Sequence, residues 1–179
     1  MYRAVALAAL RAEADLDDER AVGEIAAGAS IVPRGLQIEL DGDDVSEEIR
    51  EPRVSEVASR IAVHGAVRDA MVRLQREVVA TGGWVCEGRD IGTVVCPDAP
   101  LKVFLVADPQ ERARRRAAES DDDVAAVLAS MQERDARDRR RVHGALIRAA
   151  DAVQLDTTGL GVTEVADRVV VLARERGFQ

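Results

Sequence analysis

Apolar residues return at helical spacing in several stretches of this sequence and at strand spacing in others. Val5, Leu7 and Leu10 lie in an alanine-rich run that predicts a helix, and Val22 and Ile25 predict a second short one ending at Gly28. The period then changes. Leu36, Ile38 and Leu40 alternate with Gln37 and Glu39, the pattern of a strand with one wet face. Asp41-Gly42 is a hairpin turn signal, and Val45 is expected to begin a short return strand. Residues 30–46 therefore read as a small antiparallel insert. From 54 to 80 the helical period resumes. Val57 and Ile61 form one stripe, His64-Gly65 breaks it, and Val67, Ala70, Met71, Leu74 and Val78 form a second, stopped by Gly82-Gly83.

Residues 84–86, 103–106 and 153–155 read as buried strands, and the helices between the last two imply a parallel sheet. Asp108-Pro109-Gln110-Glu111 is a compact helix start in which Asp108 can cap, Pro109 suits the first turn and Glu111 can close a capping box. Val124, Val127, Leu128 and Met131 give the next helix its expected buried face. Val165, Val169 and Leu172 do the same for the last, which Gly177 ends. The whole, residues 1–179, is expected to be one α/β domain: a parallel sheet flanked by helices, with a small antiparallel β insert.

Composition narrows the partners. Lys and Arg number 25 against 33 Asp and Glu, a net charge of −8, which argues against a general nucleic-acid or membrane binder but leaves room for a local basic pocket. Cys86 and Cys96 are too few for a disulfide framework or a zinc site, and both read as small buried hydrophobes in a reducing cytoplasm. No metal site made only of protein ligands is visible, and His64 and His143 read as structural or surface residues. The apolar start, residues 4–10, is followed by Arg11, Glu13 and Asp15 without a cleavage pattern, so a helix explains it better than a signal peptide.

Two constellations could carry chemistry. Glu87-Gly88-Arg89-Asp90-Ile91-Gly92 follows an expected strand, and ligands of open parallel sheets sit at the carboxyl ends of strands. There Arg89 offers a bidentate fork for phosphate and Asp90 an acceptor for an amino group; the plainer alternative is an ordinary turn with a surface ion pair. Residues 132–141 hold five arginines and three acids, a local net charge of +2. On a helix Arg134, Asp138 and Arg141 share a face, a grouping suited to a polyphosphate; a solvated helix laced with ion pairs accounts for it equally well. Arg112, Arg114, Arg115 and Arg116 are better explained as a solvated face.

At these residues the sequence resembles the bacterial cytidylate kinases. Segments 2–10, 41–50, 57–59, 67–68, 88–95, 97–102, 133–141 and 149–152 match that family in order. The resemblance implies a nucleoside-monophosphate-kinase core with a substrate-binding insert at about 25–62 and a helical lid at about 121–146. It implies that Ser59, Arg68 and Asp90 hold a cytosine ring. Arg134 and Asp138 would contact sugar and phosphate, and Arg3, Arg89 and Arg141 would clamp the substrate phosphate. Tyr2 would pack beside the nucleotide, and Arg137 would face the transferred phosphoryl group. The implied reaction takes phosphate from ATP, with Mg2+, to CMP or dCMP, in a cytoplasmic monomer.

The sequence departs from the family in one respect. No G-x-x-x-x-G-K-[ST] phosphate loop occurs in it, and Lys102 is its only lysine. The match begins at Tyr2, so the family's first strand, phosphate loop, following helix and second strand are expected to be missing, through a misplaced start or through loss of the donor site. The alternatives to an active kinase are a non-catalytic CMP-binding remnant and, more weakly, an arginine-rich nucleic-acid module, which an aromatic content of 2% disfavours.

Overall fold

The computed structural model describes residues 1–120, 122–140 and 146–178, with the backbone alone for 119, 120, 134 and 137–140. It divides into two compact units, Met1–Val85 and Cys86–Gln179.

The first unit is organised on α1 (Tyr2–Arg11), where Ala4, Val5, Ala6, Leu7 and Ala9 are all buried. Alanine lets neighbouring backbones come close, and α1 packs against α3 (Pro52–Ile61) and α2 (Glu19–Gly28). Asp18 caps α2 by accepting from the Arg20 and Ala21 amides at 3.0 and 3.1 Å. Glu19 in turn accepts from the Ala66 amide at 3.1 Å, satisfying a first-turn donor of α4 (Gly65–Val79). His64 Nε2 lies 2.8 Å from the Leu16 carbonyl oxygen, so this histidine is structural. Val22, Val54, Ile61, Val67 and Met71 complete the core with Leu7 and Leu40.

The insert is a three-stranded antiparallel meander of β1 (Ile31–Arg34), β2 (Gln37–Leu40) and β3 (Asp43–Asp44), with Ile31 opposite Leu40 and Glu39 opposite Asp44. Two local expectations shift here. Leu36 lies in the β1–β2 turn, 92% exposed, because Gly35 takes the left-handed conformation the turn requires. The return strand is Asp43–Asp44, and Val45 follows it as a buried residue.

In the second unit β4 (Val103–Val106) pairs in parallel with β5 (Val153–Asp156), Val103 opposite Val153 and Leu105 opposite Leu155. The sequence between them forms α5 (Pro109–Ser120) and α6 (Val124–Arg140), and α7 (Val162–Glu175) follows β5. The architecture is thus α/β with a parallel pair and a small antiparallel sheet, as the periodicity implied.

Asp108 caps α5, accepting from Gln110 and Glu111 amides at 2.9 and 3.1 Å. The capping box does not close, since the Asp108 amide donates to Thr158 Oγ1 at 2.9 Å and Glu111 turns to Arg114 and Arg115. Residues 84–86 are not a strand: Val85 is 96% exposed and Cys86 is exposed, contrary to the expectation for both. A strand needs a ladder partner for its amides, and none of the described residues pairs with this run. On α6, Val127, Leu128 and Met131 are half-buried while Val124 is exposed; α7 buries no residue fully. No helix of the described residues is long and apolar enough to cross a membrane.

The α2–α4 packing rests on Gly23, where a Cβ would stand 2.7 Å from the Ala66 Cβ. In the same helix Gly28 faces open space. Gly23→Ala should therefore destabilise by about 1–3 kcal/mol through overpacking. Gly28→Ala should be neutral or stabilising by up to about 1 kcal/mol, as intrinsic helix propensity dictates. Chemical denaturation of both variants checks the pair.

Candidate functional site

Four of the ten candidate residues lie in the first unit: Tyr2 and Arg3 on α1, Ser59 on α3 and Arg68 on α4. Arg3 is half-buried and donates to the Ile49 carbonyl at 3.3 Å, which fixes its direction. Ser59 is 9% exposed, and its Oγ, like that of Ser55, is buried with no hydrogen-bond partner among the described residues. Burying a hydroxyl without a partner costs about 1–3 kcal/mol, so such a group favours a hydrogen bond where one is offered. Arg68 is 5% exposed, an unusual place for a guanidinium. The α1–α3 packing brings the helices of Tyr2, Arg3 and Ser59 side by side. A hollow of about 530 Å³ beside β2 and β3, lined by Leu36, Gln37, Asp44, Glu48 and Arg50 among others, contains none of the candidates.

The other six fall in the second unit. Arg89 and Asp90 occupy the loop before a π-helical turn at Ile91–Val95. The Asp90 carbonyl accepts from the Val94 amide at 2.8 Å and the Ile91 carbonyl from the Cys96 amide at 2.7 Å. A Cβ on Gly88 would stand 2.7 Å from Ile91 Cγ1, so only glycine lets the loop fold over that side chain. Asp90 is 8% exposed. Arg134, Arg137 and Asp138 hold backbone positions within about one turn of each other on α6, their side chains lying outside the described residues. Arg141 itself lies outside the described residues.

Sequence reasoning missed three contacts. Asp135 on α6 is 8% exposed and accepts from Arg112 Nη2 at 2.8 Å, with Arg89 Nη1 at 3.9 Å from its other oxygen. The arginines of α5 are therefore not a bland face: Arg112 holds Asp135, and Arg115 donates to the Thr157 and Leu160 carbonyls at 2.6 and 3.1 Å. Hydrogen bonds from Arg114 and Arg115 hold the Glu111 carboxyl below its ordinary pKa. The sole lysine, Lys102, has its ammonium bonded to Asp151 at 2.7 and 2.9 Å and to the Pro97 carbonyl, its stem packed where a Gly92 Cβ would stand 3.3 Å away. Helical spacing could have flagged Asp135, inside the arginine cluster; no local pattern marks Lys102 with Asp151.

Buried hydroxyl, guanidinium and carboxylate groups can read the edge of a polar ring, and arginines held near a loop can take a phosphate. The family profile described as cytidylate kinase matches residues 1–175. The chain belongs to the cytidylate kinase family. A cytidylate kinase of Pelotomaculum thermopropionicum is 44% identical over 180 residues, 95% of this chain and 80% of its own. That of Solibacter usitatus is 45% identical over 183 residues, 98% of this chain and 79% of its own. That of Klebsiella pneumoniae is 40% identical over 185 residues, 98% and 82%. Cytidylate kinases are transferases, and so this chain is a member of an enzyme family of that class.

Lys102 ties the Arg89–Asp90 loop region to the start of β5 through Asp151. Its hydrogen bond, the larger effect, holds the Asp151 carboxyl below the ordinary 3.8. A depressed folded-state pKa gives stability that is present above the unfolded pKa and lost as pH falls through the folded one. Asp151→Asn should thus melt below the wild type at neutral pH, and the difference should shrink as pH falls below the ordinary 3.8. Thermal melts of both proteins across that range check it; a gap independent of pH would contradict the assignment.

Proposed function

We propose that this chain binds CMP or dCMP as the acceptor in phosphoryl transfer from ATP, the products being CDP or dCDP. The observation that supports the acceptor reading is that Ser59, Arg68 and Asp90, the three residues that the family resemblance gives to the base, are each more than nine-tenths buried, with the Ser59 hydroxyl unpartnered among the described residues. Cytosine presents an amino donor and a ring-nitrogen acceptor. Asp90 accepts from the first, and Arg68 or Ser59 donates to the second. Uracil reverses both groups and would leave buried polar groups unpaired, a mismatch that can reject an analogue by up to about 10⁴–10⁵. Tyr2 packs beside the nucleotide, and Arg3, Arg89 and Arg141 take the acceptor phosphate. Arg134 and Asp138 hold sugar and phosphate, and Arg137 faces the group in transfer. In this reading residues 25–62 serve as the substrate-binding insert and residues 121–146 as the lid.

The described residues do not fit the donor side. ATP-using kinases of this kind cradle phosphates on a glycine-rich loop ending in a lysine. The sequence has no such loop, and its one lysine is buried and engaged by Asp151 and Pro97. In this reading Mg2+ is held through the ATP phosphates. That engagement of Lys102 favours a second reading, in which these 179 residues alone bind CMP without turnover.

Two measurements follow. Asp90→Asn should weaken CMP binding and bring the CMP and UMP affinities together in competition titrations; an unchanged ratio removes Asp90 from base reading. With ATP and CMP, the 179 residues alone should form no measurable CDP, because positioning of reactants accounts for about 7–11 kcal/mol of a barrier and the donor is unheld. A form that also carries a glycine-rich phosphate loop should form CDP. In that form Arg141→Ala should lower turnover much more than CMP affinity, since an arginine that stabilises transferring charge is worth about 10³–10⁵ in rate. Robust CDP formation by the 179 residues alone would contradict the donor-side reading.

A further inference from the structure

Asp135 is a carboxylate that α6 buries, and burial of an ion is tolerated only where opposite charge and hydrogen bonds compensate it. Its two oxygens have different partners. Oδ2 accepts from Arg112 Nη2 of α5 at 2.8 Å, a charge-assisted hydrogen bond that fixes the plane of the carboxylate. Oδ1 then faces Arg89 Nη1 at 3.9 Å, a charge contact too long for a hydrogen bond. The backbone beside Arg89 is held by the turn that the Asp90 and Ile91 carbonyls close. The side chain of Arg89, 36% exposed, is drawn toward Asp135, whose carboxylate serves two guanidinium groups.

From this we infer that Asp135 is a positioning residue for Arg89, and that Arg112 is the residue that orients Asp135 for that task. Asp135 does not touch the acceptor nucleotide. It holds the Arg89 guanidinium where a dianionic phosphate monoester can take it, while Arg112 supplies a hydrogen bond that the buried carboxylate needs. Arg89 by itself could swing among many rotamers, and fixing it before binding removes part of the ordering cost that association would otherwise carry. The inference rests on the proposal that Arg89 binds the acceptor phosphate, and it adds two residues to which neither the family resemblance nor the arginine count gave a role.

The test is calorimetric titration of CMP and of cytidine, which lacks the phosphate, into the wild type, Asp135→Asn, Arg89→Ala and the double variant. Asp135→Asn should weaken CMP binding about tenfold and leave cytidine binding unchanged. In the Arg89→Ala background the same substitution should have no further effect on CMP, because its action runs through Arg89. Additive losses, an equal loss for cytidine, or tighter CMP binding by Asp135→Asn would overturn the inference while leaving CMP recognition standing. Failure of the wild type to bind CMP would overturn the function reading and this inference with it. Should Asp135→Asn fail to fold, Arg112→Gln takes its place in the same cycle. It should weaken CMP binding, spare cytidine, and lose its effect when Arg89 is alanine; the opposite pattern overturns the proposal.

Discussion

Burial of α1 is the constraint on which the first unit depends. Five of its ten residues are buried, and three of the five are alanines, so neighbouring backbones approach it closely. Burial of Val5 and Leu7 contributes about 1.5–3 kcal/mol each. The same helix carries Tyr2 and Arg3 at its first turn, and it packs against α3, which carries Ser59. The core contact and the placement of the candidate residues are therefore one arrangement, and a change in α1 that loosens the packing also moves the groups assigned to the nucleotide.

The second unit solves a different problem, which is how an acidic chain keeps arginines available for an anion. Surface carboxylates would neutralise them, and several do: Glu111 takes Arg114 and Arg115, and Glu164 takes Arg168. At Arg89 the chain instead supplies one buried acid shared with Arg112. Burial strengthens each of these contacts by lowering the local dielectric. Lys102, the one lysine, is engaged by Asp151 and Pro97, so the proposed phosphate contacts fall to arginine. Arginine suits that task, because its planar fork meets phosphate oxygens two at a time.

Much of the fold was legible because local periodicity and capping agree. The stripes at Val67, Ala70, Met71 and Leu74, the Asp41-Gly42 turn and the Asp108 cap each correspond to an observed element. Failures came where tertiary context decides. Leu36 keeps the alternation but sits in a turn that Gly35 dictates, and residues 84–86 have strand composition without a partner strand. At the site, Ser59 and Arg68 carry no local signal and were reached only through the family resemblance. Asp135 with Arg112 and Lys102 with Asp151 are 23 and 49 residues apart, and no spacing rule joins residues across an intervening element. The burial of Asp135, which drew attention to it, is a property of packing.

The central claim is that buried polar groups of this chain read cytosine. The most direct measurement is calorimetric titration of the unmodified 179-residue chain with CMP and, separately, UMP. The account predicts saturable CMP binding and UMP binding weaker by about tenfold or more, as unpaired buried groups require. Equal affinity for the two nucleotides, or no binding of CMP, would contradict it.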